Sequence, residues 1–361
     1  MIKQVKHLLF LLLWMVVLAR GAQASTELWA KLMVDAQRNH RSASGFLNAM
    51  RVAEQYGEHD ARLHIAMTNA GDAVKSENPA LAESLFKRDI SELETIDRDF
   101  PEIPCDCFQL ASLYLRQRRF SEAEAQLRRA IAVRNKWRDV SSNNPFNAQL
   151  FASLYLAYYS QGDTEAAKSA YDQMLNAIQQ LRLERRRTEC LGVIRSLIYN
   201  YACNQQGLSQ LQVRHLNEIA WAFATEEEAG RKKIGNLHLI ADQLYWSAEI
   251  ALALGDLKKA ESMARQSLDL VRNKLDTAKE FSTLKNDTAV LSQILCKQAR
   301  YREAKELQEQ LLSVLVRDYG PASKVYVTEL SNWASFWETA DHPAYSNDFK
   351  RRARQVRGRL D

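Results

Sequence analysis

Residues that could carry out chemistry are few and scattered in this chain of 361 residues. Beyond the N-terminal segment, the histidines are His40, His59, His64, His215, His238 and His342. Only His59 and His64 lie close together, and a spacing of five places two side chains on different faces of a helix. The sequence has no HExxH, P-loop, GxGxxG or GxSxG motif. We therefore predict a non-enzymatic protein that holds no metal ion and no cofactor.

The five cysteines are Cys105, Cys107, Cys190, Cys203 and Cys296, and they form no CxxC motif. Cys105 and Cys107 are too close in sequence for an unstrained bridge within a helix. Cys190 and Cys203 could pair across two helices if the protein reaches an oxidising compartment. The alternative is that the cysteines are small buried residues that fill the core, and the sequence leaves both open.

Residues 1–24 have the three parts of a secretory signal peptide. Lys3 and Lys6 form a basic start, residues 8–19 are an unbroken apolar run, and an A-x-A pattern ends at Ala24. The apolar run would reach only about 18 Å as a helix, whereas a bilayer core is about 30 Å thick. We therefore predict cleavage after Ala24 and a periplasmic or secreted mature protein without a membrane span. An uncleaved membrane anchor is the alternative.

The composition favours a helical protein that does not bind nucleic acid. The net charge is +5, but the signal segment holds Lys3, Lys6 and Arg20 and no acidic residue, so its removal lowers the charge to +2. Glycine (12) and proline (6) are scarce, and all-β folds need both in their many tight turns. Proline is absent between Pro145 and Pro321, which suits long helices with short connections.

One pattern occurs four times, namely an apolar helical stretch, a short polar break and a second helix with an early alanine. The four stretches are residues 110–133, 154–175, 248–271 and 291–314. Their early alanines, Ala123, Ala167, Ala260 and Ala304, are separated by 44, 93 and 44 residues. The double step predicts a degenerate repeat at about 190–230, with a helix, a glycine and a helix. Ala82 and residues 44–57 indicate second helices of earlier repeats.

This pattern resembles the tetratricopeptide repeat, in which small residues allow the two helices of a repeat to pack closely. In the first stretch the family pattern falls on Leu110, Ala111, Tyr114, Phe120, Ala123, Leu127 and Ala130. The period of 41–44 residues exceeds the 34 of common repeats and is similar to the longer repeats of kinesin light chain. The resemblance implies an all-α fold, a right-handed superhelical solenoid of antiparallel helix pairs. An unrelated α-solenoid is the alternative.

The chain is expected to have three parts. These are the signal peptide at 1–24, the tetratricopeptide-like repeat domain at 25–346 and a basic C-terminal helix or tail at 347–361. The last segment holds six basic residues, which we interpret as a solvated face rather than an anion site.

The resemblance also implies where a partner would bind, because first helices line the inner, concave surface of tetratricopeptide arrays. Carried onto this sequence, the groove positions include Phe108, Leu115, Arg116, Leu156, Tyr159, Tyr245, Glu249 and Lys297. We expect Leu115, Leu156, Tyr159 and Tyr245 to be exposed, which would mark an interaction surface. A register shift of one residue would return them to the core.

The sequence therefore favours a scaffold that mediates protein–protein interactions in the cell envelope through a concave groove. Its rigid helices would present many side chains without an ordering cost on binding. The alternative is a solenoid that binds a carbohydrate polymer, such as peptidoglycan or exopolysaccharide, in an export or assembly system. Stacked aromatic rings with polar neighbours in the groove would favour the sugar, and apolar pockets with charged ends would favour a peptide.

Overall fold

The computed structural model describes six segments of the chain, which are residues 23–38, 42–57, 59–137, 144–204, 207–274 and 281–358. Residues 1–22, which hold most of the predicted signal peptide, lie outside them. The described segments contain sixteen α-helices and no strand, so the predicted all-α class is confirmed. The chain divides into two compact units, residues 1–181 and 182–361.

The first unit consists of four helix pairs. Its helices are α1 (Gln23–Arg38), α2 (Ala43–Ala53), α3 (Ala61–Val74), α4 (Pro79–Ile96), α5 (Ile103–Arg116), α6 (Phe120–Lys136), α7 (Phe146–Gln161) and α8 (Thr164–Gln179). Each odd-numbered helix packs against the even-numbered helix that follows it, and each pair packs against the next. The second helix predicted within residues 44–57 is present as α2, which a 3-10 turn extends to Tyr56.

The second unit also consists of four helix pairs. Its helices are α9 (Glu184–Asn204), α10 (Gln210–Ile234), α11 (Leu237–Ala253), α12 (Leu257–Lys274), α13 (Phe281–Lys297), α14 (Tyr301–Tyr319), α15 (Lys324–Thr339) and α16 (Pro343–Arg357). The degenerate repeat predicted at about 190–230 is present as α9 and α10, with Gly207 between them. Antiparallel helix pairs, as predicted, therefore build both units.

Small residues lie where the two helices of a pair meet. Ala82, Ala123, Ala167, Ala260 and Ala304 are each the fourth residue of a second helix. None of them is more than 3% exposed. The interpretation of these alanines as junction residues is therefore confirmed, because a larger side chain at this position would separate the helices.

The degenerate pair α9 and α10 achieves close packing with glycine instead of alanine. A Cβ atom on Gly230 would lie 2.1 Å from Thr188 Oγ1, and a Cβ atom on Gly192 would lie 2.5 Å from Glu227 Oε1. Both distances are far below ordinary van der Waals contact. The two helices can therefore approach this closely only because these positions have no side chain.

Five pairs share one connection geometry. The residue two positions before the second helix has a positive φ, between 56° and 83°, at Arg118, Gly162, Gly255, Ala299 and Asp341. The next residue then donates its N–H to the carbonyl oxygen five residues earlier, at 2.8–3.1 Å. This bond satisfies a carbonyl at the end of the first helix in the manner of a Schellman cap. A short turn can therefore reverse the chain in each of these pairs.

The structure excludes the disulfide considered for Cys190 and Cys203. Both residues lie on α9, thirteen positions apart, which corresponds to about 20 Å along a helix. A disulfide requires Cα atoms within about 7 Å. Neither residue forms a disulfide within the described part of the chain, where Cys190 is buried and Cys203 is exposed. The considered pairing is wrong because one helix of 21 residues occupies the region where two helices were expected.

The basic C-terminal segment belongs to the last helix pair. Its helix α16 starts before residue 347, at Pro343, and buries Phe349 completely against its neighbours. Arg352 Nη1 lies 2.5 Å from Glu309 Oε1, and Lys305 Nζ lies 3.3 Å from Asp348 Oδ2. Two ion pairs therefore connect α16 to α14, one with its cation on α16 and the other with its cation on α14.

Candidate functional site

The groove residues predicted on α5 do not share one surface. Phe108 is half-buried with its ring 5.3 Å from that of Phe146, and Arg116 is exposed. Leu115, in contrast, is only 4% exposed, so the expectation that it faces solvent is wrong. Successive helical residues are turned by about 100°, and Leu115 therefore lies inward when Arg116 faces solvent.

Leu156 is fully buried, and its expected exposure is also wrong. Helix α7 packs against α5, α6 and α8, so every residue from 152 to 158 is buried. Because this helix is apolar on all its faces, the sequence pattern could not distinguish its outer side. Tyr159 follows this buried stretch and is half-buried, with its ring centroid 5.6 Å from that of Tyr155.

In the second unit the structure brings two predicted groove residues together. Tyr245 and Glu249 lie one turn apart on α11, and both are partly exposed. The Tyr245 hydroxyl donates to Glu249 Oε1 over 3.3 Å. Lys297 is exposed at the C-terminal end of α13. Tyr245 and Glu249 therefore form the centre of the candidate site.

Around this centre lies a group of five residues, here called the Glu249 cluster, which consists of Tyr199, Asp242, Tyr245, Trp246 and Glu249. The Tyr199 hydroxyl, from α9, donates to Glu249 Oε2 over 2.8 Å. The Trp246 ring lies 5.9 Å from the Tyr199 ring and 5.3 Å from the Tyr245 ring, at angles of 76° and 74°. Glu249 is therefore held by two phenols beside a tryptophan.

The sequence carries a signal for this cluster. Asp242, Tyr245, Trp246 and Glu249 follow the spacing i, i+3, i+4 and i+7, which places them on one face of a helix. Tyr199 could not be assigned to the cluster in advance, because it lies on another helix, 50 residues from Glu249.

Burial governs the protonation of the cluster. It raises the pKa of Tyr199 and Tyr245 well above the usual tyrosine value, and the nearby Glu249 carboxylate raises both further. Both phenols therefore remain hydrogen-bond donors at neutral pH. Burial also raises the pKa of Asp242, while the guanidinium groups of Arg195 and Arg231 partly offset this rise.

A buried ion triad lies next to the cluster. Glu227 Oε2 accepts from Arg195 Nε over 2.7 Å, and Glu227 Oε1 accepts from Arg231 Nη2 over 3.0 Å. The three side chains are at most 7% exposed. The Arg195 guanidinium also lies over the Trp246 ring, 5.2 Å from its centroid. The triad thereby links the packing of α9 and α10 to the position of Trp246.

A second buried polar network lies in the first unit, on α3, α4 and α5. His64 Nδ1 lies 2.5 Å from Asp89 Oδ1, and Thr68 Oγ1 lies 3.0 Å from Asp89 Oδ2 and 2.9 Å from Asp106 Oδ1. Burial and the neighbouring Asp89 raise the pKa of Asp106 well above the usual value. One hydroxyl proton cannot serve two carboxylates, and together with the raised pKa this geometry favours a proton on Asp106.

The described residues also bear on two further classes of site. These residues contain no group of three or more histidine, cysteine, aspartate or glutamate side chains arranged to hold a metal ion. Among the helices built from them, none is both long and apolar enough to cross a membrane.

Comparisons with known proteins give a family match and several similar structures. Residues 109–136 match the family model described as a tetratricopeptide repeat. Aspartyl phosphate phosphatase F from Bacillus subtilis is similar in structure, with 13% identity, coverage of 94% of this chain and 85% of that chain, and a TM-score of 0.44. BtubC from P. vanneervenii has 18% identity, coverage of 64% and 90%, and a TM-score of 0.42.

A Rap protein complexed with competence and sporulation factor is also similar, with 14% identity, coverage of 94% of this chain and 98% of that chain, and a TM-score of 0.43. A comparison with curated proteins gives no match. The predicted tetratricopeptide character is confirmed by the family match in the third helix pair and by the helix-pair fold.

Proposed function

We propose that this tetratricopeptide repeat protein is a non-enzymatic scaffold that binds a protein partner on the exposed face of its first helices. The observation that carries the proposal is the Glu249 cluster, where Tyr245, Trp246 and Glu249 are all partly exposed on the first helix α11. Tyrosine and tryptophan are enriched among the few residues that carry most of the binding energy of protein interfaces.

The environment of Trp246 favours a protein partner over a carbohydrate polymer. A sugar ring stacks on an open aromatic face, but Arg195 covers one face of Trp246 at 5.2 Å. The neighbouring rings of Tyr199 and Tyr245 meet Trp246 at steep angles rather than forming a flat platform. Peptide recognition needs no such platform, because it uses pockets between side chains.

The place of action that we propose is the cell envelope. The support for it is the N-terminal sequence, with its basic start, short apolar run and A-x-A pattern ending at Ala24. Sequencing of the mature protein from fractionated cells should begin at Ser25. A protein that keeps Met1 and stays in the cytosol would contradict this location.

Crosslinking in intact cells, followed by identification of the captured protein, tests the binding function. Tyr245→Ala and Tyr159→Ala should each weaken the affinity for that partner by about 1–3 kcal/mol. Tyr319→Ala is the matched control, because Tyr319 is exposed at the end of the second helix α14. Thermal unfolding of the same variants separates binding from folding.

Two results would contradict the proposal. One is capture of a polysaccharide instead of a protein by the full chain. The other is a loss of thermal stability in Tyr245→Ala without any loss of affinity in the folded fraction, which would make Tyr245 a packing residue only.

A further inference from the structure

Among the first helices of the second unit, α11 differs from the others in its charged residues. Helix α11 contains Asp242 and Glu249 but neither lysine nor arginine. On the neighbouring helix α10, Glu226, Glu227 and Glu228 each have a cationic partner. Neither Asp242 nor Glu249 forms an ion pair within the part of the chain that the structure describes. Of these two carboxyl groups, Asp242 is under the influence of Arg195 and Arg231, so Glu249 is the acidic group of α11 whose charge is not balanced.

The Glu249 carboxylate is fixed in position although its charge is not balanced. Tyr199, only 8% exposed, and Tyr245 each donate a hydroxyl to one of its oxygens, at 2.8 and 3.3 Å. Both donors are neutral, so they orient the carboxylate without cancelling its charge. A further neutral donor, such as a water molecule, could add a hydrogen bond, but only a cation balances the charge.

Aromatic rings stand beside this carboxylate on its own helix. Tyr245 and Trp246 are partly exposed, and their ring centroids are 5.3 Å apart. Aromatic faces attract cations through their quadrupole, and the attraction increases when the cation also meets a carboxylate.

We infer that the Glu249 cluster is a binding site for a cationic side chain, lysine or arginine, of a basic segment in the protein partner. The inference rests on the proposed function and adds to it the charge of the partner. The cation lies between Glu249 and the rings of Tyr245 and Trp246. The partner segment is therefore recognised by charge complementarity.

Small cationic probes test the site without knowledge of the partner. Acetyl-lysine-methylamide and acetyl-arginine-methylamide are titrated into the full chain, and the indole N–H signal of Trp246 is followed by NMR after assignment with Trp246→Phe. We expect saturable shifts with at least one of the two cations. The neutral analogue that carries an acetyl group on the lysine Nζ should cause none. The relative affinities of the two cations distinguish lysine from arginine.

Glu249→Gln keeps the side-chain shape and removes the charge: its amide oxygen accepts from one tyrosine and its amide nitrogen donates to the other hydroxyl oxygen. It should weaken binding of the cation about fivefold. Glu306→Gln is the matched control, since Glu306 is an exposed glutamate of α14 paired with Arg302. An equal shift with the neutral analogue, or equal affinity in Glu249→Gln and Glu306→Gln, would overturn the inference.

If Glu249→Gln does not fold, salt provides the second test, because wild-type binding of the cation must weaken between 0.05 and about 0.5 M NaCl as the charges are screened. Binding that is insensitive to salt would overturn the inference.

The proposed scaffold function and the proposed cation site can fail separately. A protein partner whose affinity is unchanged by Glu249→Gln leaves the scaffold function intact and removes the cation site.

Discussion

Arg300 Nη1 lies 2.8 Å from both carboxylate oxygens of Glu261. Arg300 precedes α14, and Glu261 is on α12, so the contact joins the second helices of two successive pairs. The same guanidinium also donates to Glu303 Oε1 over 2.6 Å and to Gln298 Oε1 over 2.7 Å. Arg300 therefore contacts residues at the ends of three helices, where two repeats meet.

An equivalent network occurs in the first unit. Arg119 Nη1 lies 2.6 Å from Glu83 Oε2, and Arg119 also donates to Glu122 and Gln117. The hydrogen bond from Arg119 holds the pKa of Glu83 at about 2, below its ordinary value. The sequences around the two arginines, QRRFSEA at 117–123 and QARYREA at 298–304, share the form Q-x-R-aromatic-x-E-A. The network is therefore a repeated feature that connects neighbouring repeats.

The coupling between Arg300 and Glu261 can be measured with a double-mutant cycle. Arg300→Ala, Glu261→Ala and the double variant should give a coupling of about 0.5–1 kcal/mol in urea unfolding, because both side chains are partly shielded and belong to a network. The control pair, Arg302 and Glu306, lies on one helix with both partners exposed. A coupling no larger than that of the control would show that the network does not connect repeats energetically.

The buried carboxyl of Asp106 should make the first unit less stable as the pH rises. Its pKa is raised in the folded state, whereas the unfolded chain releases the proton near the ordinary value of 3.8. Between these two pKa values the free energy of unfolding falls as pH increases, by up to about 1.4 kcal/mol per pH unit. Below the unfolded value both states hold the proton, and this dependence disappears.

Asp106→Asn removes the titrating group while preserving its shape. Urea unfolding from pH 4.5 to 7.5 should show that the variant gains stability relative to wild type as pH rises. Asp172→Asn, at an exposed position on α8, should show no such trend. A difference in the free energy of unfolding between wild type and variant that stays constant from pH 4.5 to 7.5 would contradict the raised pKa of Asp106.

The junction alanines give a prediction about packing. Ala260 is fully buried at the fourth position of α12, so Ala260→Leu must overpack the contact with α11 and should cost about 1–3 kcal/mol. Lys258→Leu, two residues earlier and exposed, is the control and should change the stability by less than about 0.5 kcal/mol. Similar melting temperatures for both variants would show that the register of α12 is misassigned.

The sequence predicted this part of the fold because close helix packing leaves a direct signal. Ala123 and Ala260 are small because the two helices of their own pair meet at these positions, and the spacing of such alanines indicated the repeat. The exposure of Leu115 and Leu156 depends instead on how the next pair covers them. No pattern within a single helix indicates whether the next pair covers a residue, so only some of the predicted groove residues are exposed.

The polar contacts of the site could not be predicted for a related reason. Glu227 meets Arg195 across 32 residues, and Glu249 meets Tyr199 across 50 residues. These distances follow no fixed period, because they depend on the lengths of α9 and α10. Only the part of the cluster confined to α11 has a recognisable spacing.

The connections between paired helices provide the last prediction. Ala299 has φ of 59° between α13 and α14, at the position that Gly162 and Gly255 occupy in other pairs. A left-handed conformation is costly for a residue with a Cβ atom and free of that cost for glycine. Ala299→Gly should therefore stabilise the protein by up to about 1 kcal/mol, although the unfolded chain becomes more flexible. Ala125→Gly, at an exposed position inside α6, makes the same chemical change in a right-handed helix and should destabilise it by about 0.5–1 kcal/mol. Urea unfolding of the two variants should give changes of opposite sign, and destabilisation by both would mean that the turn at Ala299 carries no backbone strain.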